Sequence, residues 1–135
     1  MIIKQVKISS QAKEKLSRLK AKTSIQNWNV LCRWAFCYSL SEPTIPAQQE
    51  IITDSNVEMT WQVFGGEFSD LYEMLVRERC ILDGLGEDPE ILQKYFKLHL
   101  HRGIAYLAGT NVIRSIDDLF TLATEKFEEW SLSND

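Results

Sequence analysis

The stretch NWNVLCRWAFCYSL, residues 27–40, is the strongest constraint on what this chain can become. Its spacing predicts a helix that starts near Ser24 to Asn27 and stops at Ser41-Glu42-Pro43, because the residue before a proline is pushed out of the α region. Trp28, Leu31, Cys32 and Ala35 fall on one side of that helix, and Val30, Trp34 and Cys37 on another. A helix apolar nearly all round needs cover on more than one face, from the rest of the chain or from a second copy. The fold is therefore expected to be built around this segment, and an oligomer is expected. Arg33 is the one charge between Trp28 and Ser41. An unpaired cation on a buried helix is costly, so a carboxylate is its expected partner.

The remaining elements follow from periodicity. IIKQVKIS reads as a short strand, with Ile2, Val6 and Ile8 to one face, Lys4 as an exception, and Ile3, Gln5 and Lys7 to the other. Ser9 or Ser10 offers an N-cap for a helix over 11–23 whose buried stripe is Ala12, Leu16, Leu19 and Thr23. After the proline-bounded linker EPTIPAQQ, QEIIT and VEMTWQVF read as two strands of a hairpin around Asp54-Ser55-Asn56, with Val57, Met59, Trp61 and Val63 inward and Gly65-Gly66 closing it. Three helices are expected next. The first runs from Glu67 to Leu82 with Phe68, Leu71, Tyr72 and Leu75 on one stripe. The second runs from Pro89 to Leu107, capped by Asp88, and the third from Ile116 to Trp130, opened by Ser115-x-x-Asp118. The tail SLSND is expected to fray. The predicted class is mainly α: a strand-helix-helix start resembling a ribbon-helix-helix, a small β-hairpin, and a helical C-terminal half. With 135 residues, 44% of them hydrophobic, one domain over 1–135 is expected.

Charge is divided along the chain. Residues 1–40 carry eight basic side chains against Glu14, a net of +7, while the other 95 carry 7 basic and 18 acidic ones, a net of −11. The basic end holds Lys4, Lys7, Lys13, Lys15, Arg18, Lys20 and Lys22. On the expected helix, Lys13 and Lys20 border one flank of the buried stripe, and Lys15, Arg18 and Lys22 form an i, i+3, i+7 row on the other. Solvated helix faces usually interleave Glu with Lys, and Glu14 alone cannot do that. These seven residues are the candidate nucleic-acid-binding set, with double-stranded DNA as partner, since a row of lysines suits phosphates and the surface offers little for stacking unpaired bases. In a ribbon-helix-helix arrangement Gln5 and Lys7 would face the major groove. A strand that completes the hairpin sheet is the other reading.

Other chemistry finds little support. Cys32 and Cys37 lie five apart on different helix faces, Cys80 follows Arg77 and Arg79, and no C-x-x-C occurs. His99 and His101 are two apart and point to different sides of a helix, so no metal or other cofactor is expected. Gly103 is read as permitting close helix approach. No P-loop, G-x-G-x-x-G or nucleophile elbow is present, and adjacent carboxylates such as Asp117-Asp118 diverge, so no enzyme is expected. The N-terminus lacks a secretory pattern and no run of about 18 apolar residues occurs, so a cytoplasmic location off the membrane is expected.

The segments NWNVLCRWAFCYSLSEP, VEMTWQVFGGEFSDLYEMLVRERC and KLHLHRGIAYLAG resemble the DNA sulfur modification protein DndE family, over about Val6 to about Gly109. That resemblance implies a bacterial, non-catalytic, DNA-binding subunit, tetrameric, with a preference for nicked duplex and with surface lysines near the N-terminus as its contacts. Here the available positions are Lys4, Lys7, Lys13, Lys15, Lys20 and Lys22, with Arg18 beside them. It also implies that the sulfur chemistry belongs to partner proteins: a cysteine desulfurase, an iron–sulfur protein and an ATPase. Two other readings stand beside it, a protein-only adaptor of the same complex and a ribbon-helix-helix transcriptional regulator.

Overall fold

The computed structural model describes residues 2–133. Strand β1 (Gln5–Lys7) leads into α1 (Ser10–Thr23), which opens as a capped helix: Ser9 Oγ accepts the Ala12 N–H at 3.1 Å. Its buried residues are Ala12, Leu16, Leu19 and Thr23, the stripe expected from spacing. Ser24, at φ 62°, ends it in the left-handed region, its N–H bonded to Lys20 O.

Helix α2 (Trp28–Ser41) buries Leu31, Cys32, Ala35, Phe36 and Ser39. Trp34 is half-buried and Cys37 exposed, so the second apolar face is only partly covered within one chain. Along its buried side runs the 19-residue helix of residues 89–107, numbered α5 below, and Gly103 is where the two backbones meet: a Cβ there would come within 1.8 Å of Ala35 O. The last turn of α2 contains no basic residue. Its orphan carbonyls are taken by arginines from elsewhere, Arg79 donating to Leu40 O (2.9 Å) and Arg102 to Ser39 O (2.8 Å). Both guanidinium groups also reach Thr44 O, which fixes the start of the linker.

The sheet differs from the expected hairpin. Its second strand is β2 (Glu58–Thr60), and it pairs antiparallel with β1 in the register Gln5↔Thr60, Val6↔Met59, Lys7↔Glu58. Residues 49–53 form no strand. That segment is held through its neighbours: Asp54 Oδ1 accepts the Ser10 N–H (2.8 Å) and Ser55 Oγ donates to Ile8 O (2.8 Å). The expected strand also stops at Thr60, whose Oγ1 caps α3 (Trp61–Gly65) by accepting the Val63 N–H. A helix here buries Trp61 and Phe64 together, where a strand would have buried Trp61 with Val63; Val63 is 52% exposed. The larger aromatic decides it. Ile3 is buried, against its expected outward position, and Lys4 is exposed.

A 3-10 turn (Gly66–Phe68) with Gly66 at φ 59° connects α3 to α4 (Ser69–Leu82). Tyr72 joins Phe36, Phe64 and Phe96 in an aromatic cluster with ring centroids 5.0–6.2 Å apart. Phe68 and Leu71, expected on the inward stripe, are exposed, and Val76 and Cys80 are the buried residues of α4. Aromatic packing under the first turn of α4 comes from Trp61 and Phe64 instead.

Helix α5 (Pro89–Leu107) starts as expected, with Asp88 in the cap position and Pro89 at the first turn. The last helix, α6 (Ile116–Ser133), begins with Asp118 Oδ2 accepting the N–H of Arg114, one residue before the expected Ser115. It rests on α2 through Phe120 against Trp34 and Lys126 Nζ bonded to Glu42 at 2.8 Å, and Leu119 is fully buried. Of the tail expected to fray, residues 131–133 continue α6; Asn134 and Asp135 lie outside the described residues. Arg33 has no carboxylate in bridging distance among the described residues. It is half-buried beside Gly66, where a Cβ would lie 3.4 Å from Nη1, so its charge keeps access to water.

Candidate nucleic-acid interface

In β1, Val6 is buried and its neighbours Gln5 and Lys7 face outward; Lys4, just before the strand, is also exposed. Alongside runs a groove of about 650 Å³ whose lining includes Lys4, Lys7, Lys94 and Lys97, with Glu90 the sole carboxylate. The α5 lysines were not anticipated, since the charge division assigns everything beyond residue 40 to the acidic part. The signal was present nonetheless: Lys94, Lys97 and His101 stand at i, i+3, i+7 on α5.

His101 links this groove to α1. Its Nδ1 lies 2.8 Å from Lys97 O and its Nε2 3.2 Å from the Ser9 nitrogen. The Ser9 N–H must donate, so Nε2 is the acceptor, Nδ1 carries the proton, and the ring is neutral. Burial pushes its pKa down, and the charges of Lys97 and Lys15 push the same way. Those two lysines therefore stand near one imidazole; Lys15 and His101 border a second cavity that also holds Glu50 and Asp54, with Arg18 and Lys22 on the same flank of α1 as Lys15.

Lys13 and Lys20 belong to the opposite flank. Lys13 Nζ donates to Asn56 Oδ1. Lys20 Nζ stands 3.4 Å from the centroid of the Trp28 ring. Two further cations have acidic neighbours: Lys7 lies 3.8 Å from Glu58 and Arg18 3.9 Å from Glu14, all largely solvent-exposed. Exposed pairs of that length contribute about 0–1 kcal/mol, so a phosphate can compete for either cation. Of the seven sequence candidates, the fold thus brings Lys4 and Lys7 to one groove, sets Lys15, Arg18 and Lys22 on one flank of α1, and turns Lys13 and Lys20 to the other.

Cys32, Cys80 and the other histidine are buried in the packing, and Cys37 is exposed on α2. Burial pushes the Cys32 thiol up to about 12 and raises Cys80 as well, so Arg79 does not activate Cys80; it bonds Asp83 at 2.9 Å. Cys37 is also raised, desolvation of its sulfur outweighing the Tyr72 hydrogen bond and the charge of Arg33. His99, 3% exposed, lies 2.8 Å by Nδ1 from Ser39 Oγ, which accepts from Arg102 Nε. Burial and the charges of Arg79 and Arg102 lower its pKa to about 4. Among the described residues no three His, Cys, Asp or Glu side chains converge as metal ligands, and no helix is long and apolar enough to cross a membrane.

Comparison with known proteins bears on this surface. The crystal structure of DndE from Escherichia coli B7A, a protein involved in DNA phosphorothioation modification, superposes with a TM-score of 0.66 at 22% identity, covering 79% of this chain and 98% of that one. A lysine-for-glycine mutant of DndE involved in DNA phosphorothioation gives 0.58 at 23% identity, over 77% and 95% of the two chains. These likenesses establish the shared fold. A comparison with curated protein sequences finds no significant match. The family model of the DNA sulphur modification protein DndE matches residues 5–115, from β1 to the residue before α6, and the chain belongs to that family.

Proposed function

We propose that this chain is a non-catalytic, DNA-binding subunit of the DNA phosphorothioate modification machinery. It holds duplex DNA, with a preference for nicked duplex, on the ridge formed by Lys4, Lys7, Lys94, Lys97, Lys15, Arg18 and Lys22. The observation that carries this reading is the groove beside β1, which Lys4, Lys7, Lys94 and Lys97 line together with the carboxylate of Glu90, Lys7 also lying 3.8 Å from exposed Glu58. Ammonium groups spaced along a groove neutralise phosphates and release counterions without reading bases. Sulfur transfer would need an accessible thiolate, and desolvation raises the pKa of all three thiols here, which supports placing that chemistry elsewhere. That step falls to the partner proteins of the system, a cysteine desulfurase, an iron–sulfur protein and an ATPase.

A homotetramer fits this role. Phe68, Leu71 and Met74 of the turn and α4, each about half exposed, form an apolar patch suited to burial against another copy. Assembly would place several ridges along one duplex. Of the other readings, the ribbon-helix-helix regulator loses support because one edge of β1 is occupied by β2 of the same chain. The protein-only adaptor is separated by experiment. Charge reversal at Lys97 and Lys94 should weaken binding of a labelled duplex about tenfold or more on any sequence, and reversal at Lys13 much less. Absent DNA binding, with partner pull-down unchanged after the lysines are neutralised, would favour the adaptor; duplex binding that ignores these reversals would overturn the ridge as its site.

A further inference from the structure

Helix α6 lies beyond the part of the chain that the family model matches, and it presents a surface that the proposed DNA ridge does not use. Its inner side, Leu119 and Leu122, packs on the core. The flank beside it carries Ile116, Phe120, Ala123, Phe127 and Trp130, spaced 4, 3, 4, 3, with one edge of the row, Phe120, also against Trp34 of α2. That is the 3.5-residue repeat of a helix seam made to receive a second helix. Phe120, Phe127 and Trp130 are 56%, 65% and 61% exposed. The Phe127 and Trp130 rings stand 6.0 Å apart, so the end of the seam is a preformed aromatic platform.

The border of the seam is acidic. Asp117 and Glu128 flank it on the free side, and α6 as a whole has five carboxylates, Asp117, Asp118, Glu125, Glu128 and Glu129, against Lys126. Lys126 is already bound to Glu42 and Glu129 on the inner side. Charge decides what can cover such a seam. A second α6 would bring Asp117 and Glu128 against the same carboxylates. The exposed apolar row on α4, Leu71, Met74 and Ile81, has Glu78 in its middle. Helix α1 is basic, but its large apolar residues, Leu16 and Leu19, are spent in its own core. Anionic lipid and nucleic acid are repelled.

We propose that the α6 seam docks a basic amphipathic helix of another protein, one with apolar residues at the same 4-3 spacing bordered by Lys or Arg. The apolar row supplies the contact and the acidic border selects the partner.

The test uses fluorescein-labelled helical peptides of about three heptads, followed by anisotropy against the full-length protein. One has leucines at 4-3 spacing bordered by lysine, a second has the same leucines bordered by glutamate, and a third keeps the lysines but scrambles the leucines. The first should bind at least about tenfold more tightly than the others, and Phe127→Gln should abolish that advantage. The double variant Asp117→Lys/Glu128→Lys should transfer the preference to the glutamate-bordered peptide, and it carries the test if Phe127→Gln does not fold. Equal binding of the two lysine peptides, or no binding, overturns the proposal. So does a smaller assembly of Phe127→Gln in sedimentation velocity, which would mean that another copy covers the seam.

Discussion

Gly103 of α5 lies directly against the carbonyl of Ala35 in α2, where an added Cβ would stand 1.8 Å from the oxygen and 2.4 Å from the carbon. Both atoms are backbone, and neither can step aside as a side-chain tip could. Gly103→Ala should therefore force the two central helices apart and cost about 3 kcal/mol or more, despite the gain in helix propensity. Urea denaturation measures it; a variant as stable as the parent would show that the helices do not meet there.

Stability should fall on mild acidification. The folded chain holds His99 near 4 against an ordinary value of 6.5, and His101 is also lowered. Between those values the unfolded chain takes up protons that the folded chain refuses. The contribution is complete above about pH 6.5 and is lost progressively as pH falls through the folded pKa values. For His99 it amounts to about 3 kcal/mol. Urea midpoints at pH 7 and pH 4.5 should differ accordingly, and less in His99→Gln once each is compared with its own value at pH 7.

Arg102 makes four hydrogen bonds of 2.8–3.1 Å, to Ser39 Oγ, Ser39 O, Thr44 O and Thr44 Oγ1. A lysine keeps the charge and loses the fork that spans the end of α2 and the linker. Arg102→Lys is expected to cost about 1–3 kcal/mol in thermal denaturation and to speed proteolysis between residues 42 and 57. Equal protease sensitivity would mean the linker is held by other contacts.

The helices were legible because their buried stripes repeat at the helical period, as Ala12, Leu16, Leu19 and Thr23 show, and because Asp88-Pro89 marks a start. Gly103 was legible for its chemistry alone. The sheet was not: β1 and β2 lie more than 50 residues apart, and a run such as VEMTWQVF fits either a strand or a capped helix until the depth of Phe64 is known. The basic surface was half legible. Charge counting along the chain found the β1 and α1 lysines, but not that α5 returns past β1 and adds Lys94 and Lys97 to the same groove. Nor does an even count reveal that Lys13 and Lys20 are turned to Asn56 and Trp28.

The salt dependence of duplex binding tests the central claim most directly. Anisotropy of labelled intact and nicked duplexes is measured between 50 and 300 mM salt with the parent and with Lys97→Glu. If about six phosphates are neutralised on the lysine ridge, log K falls against log salt with a slope near −5, and losing one contact reduces that slope by about one. A flat salt dependence, or a slope unchanged by Lys97→Glu together with Lys4→Glu, would contradict the account.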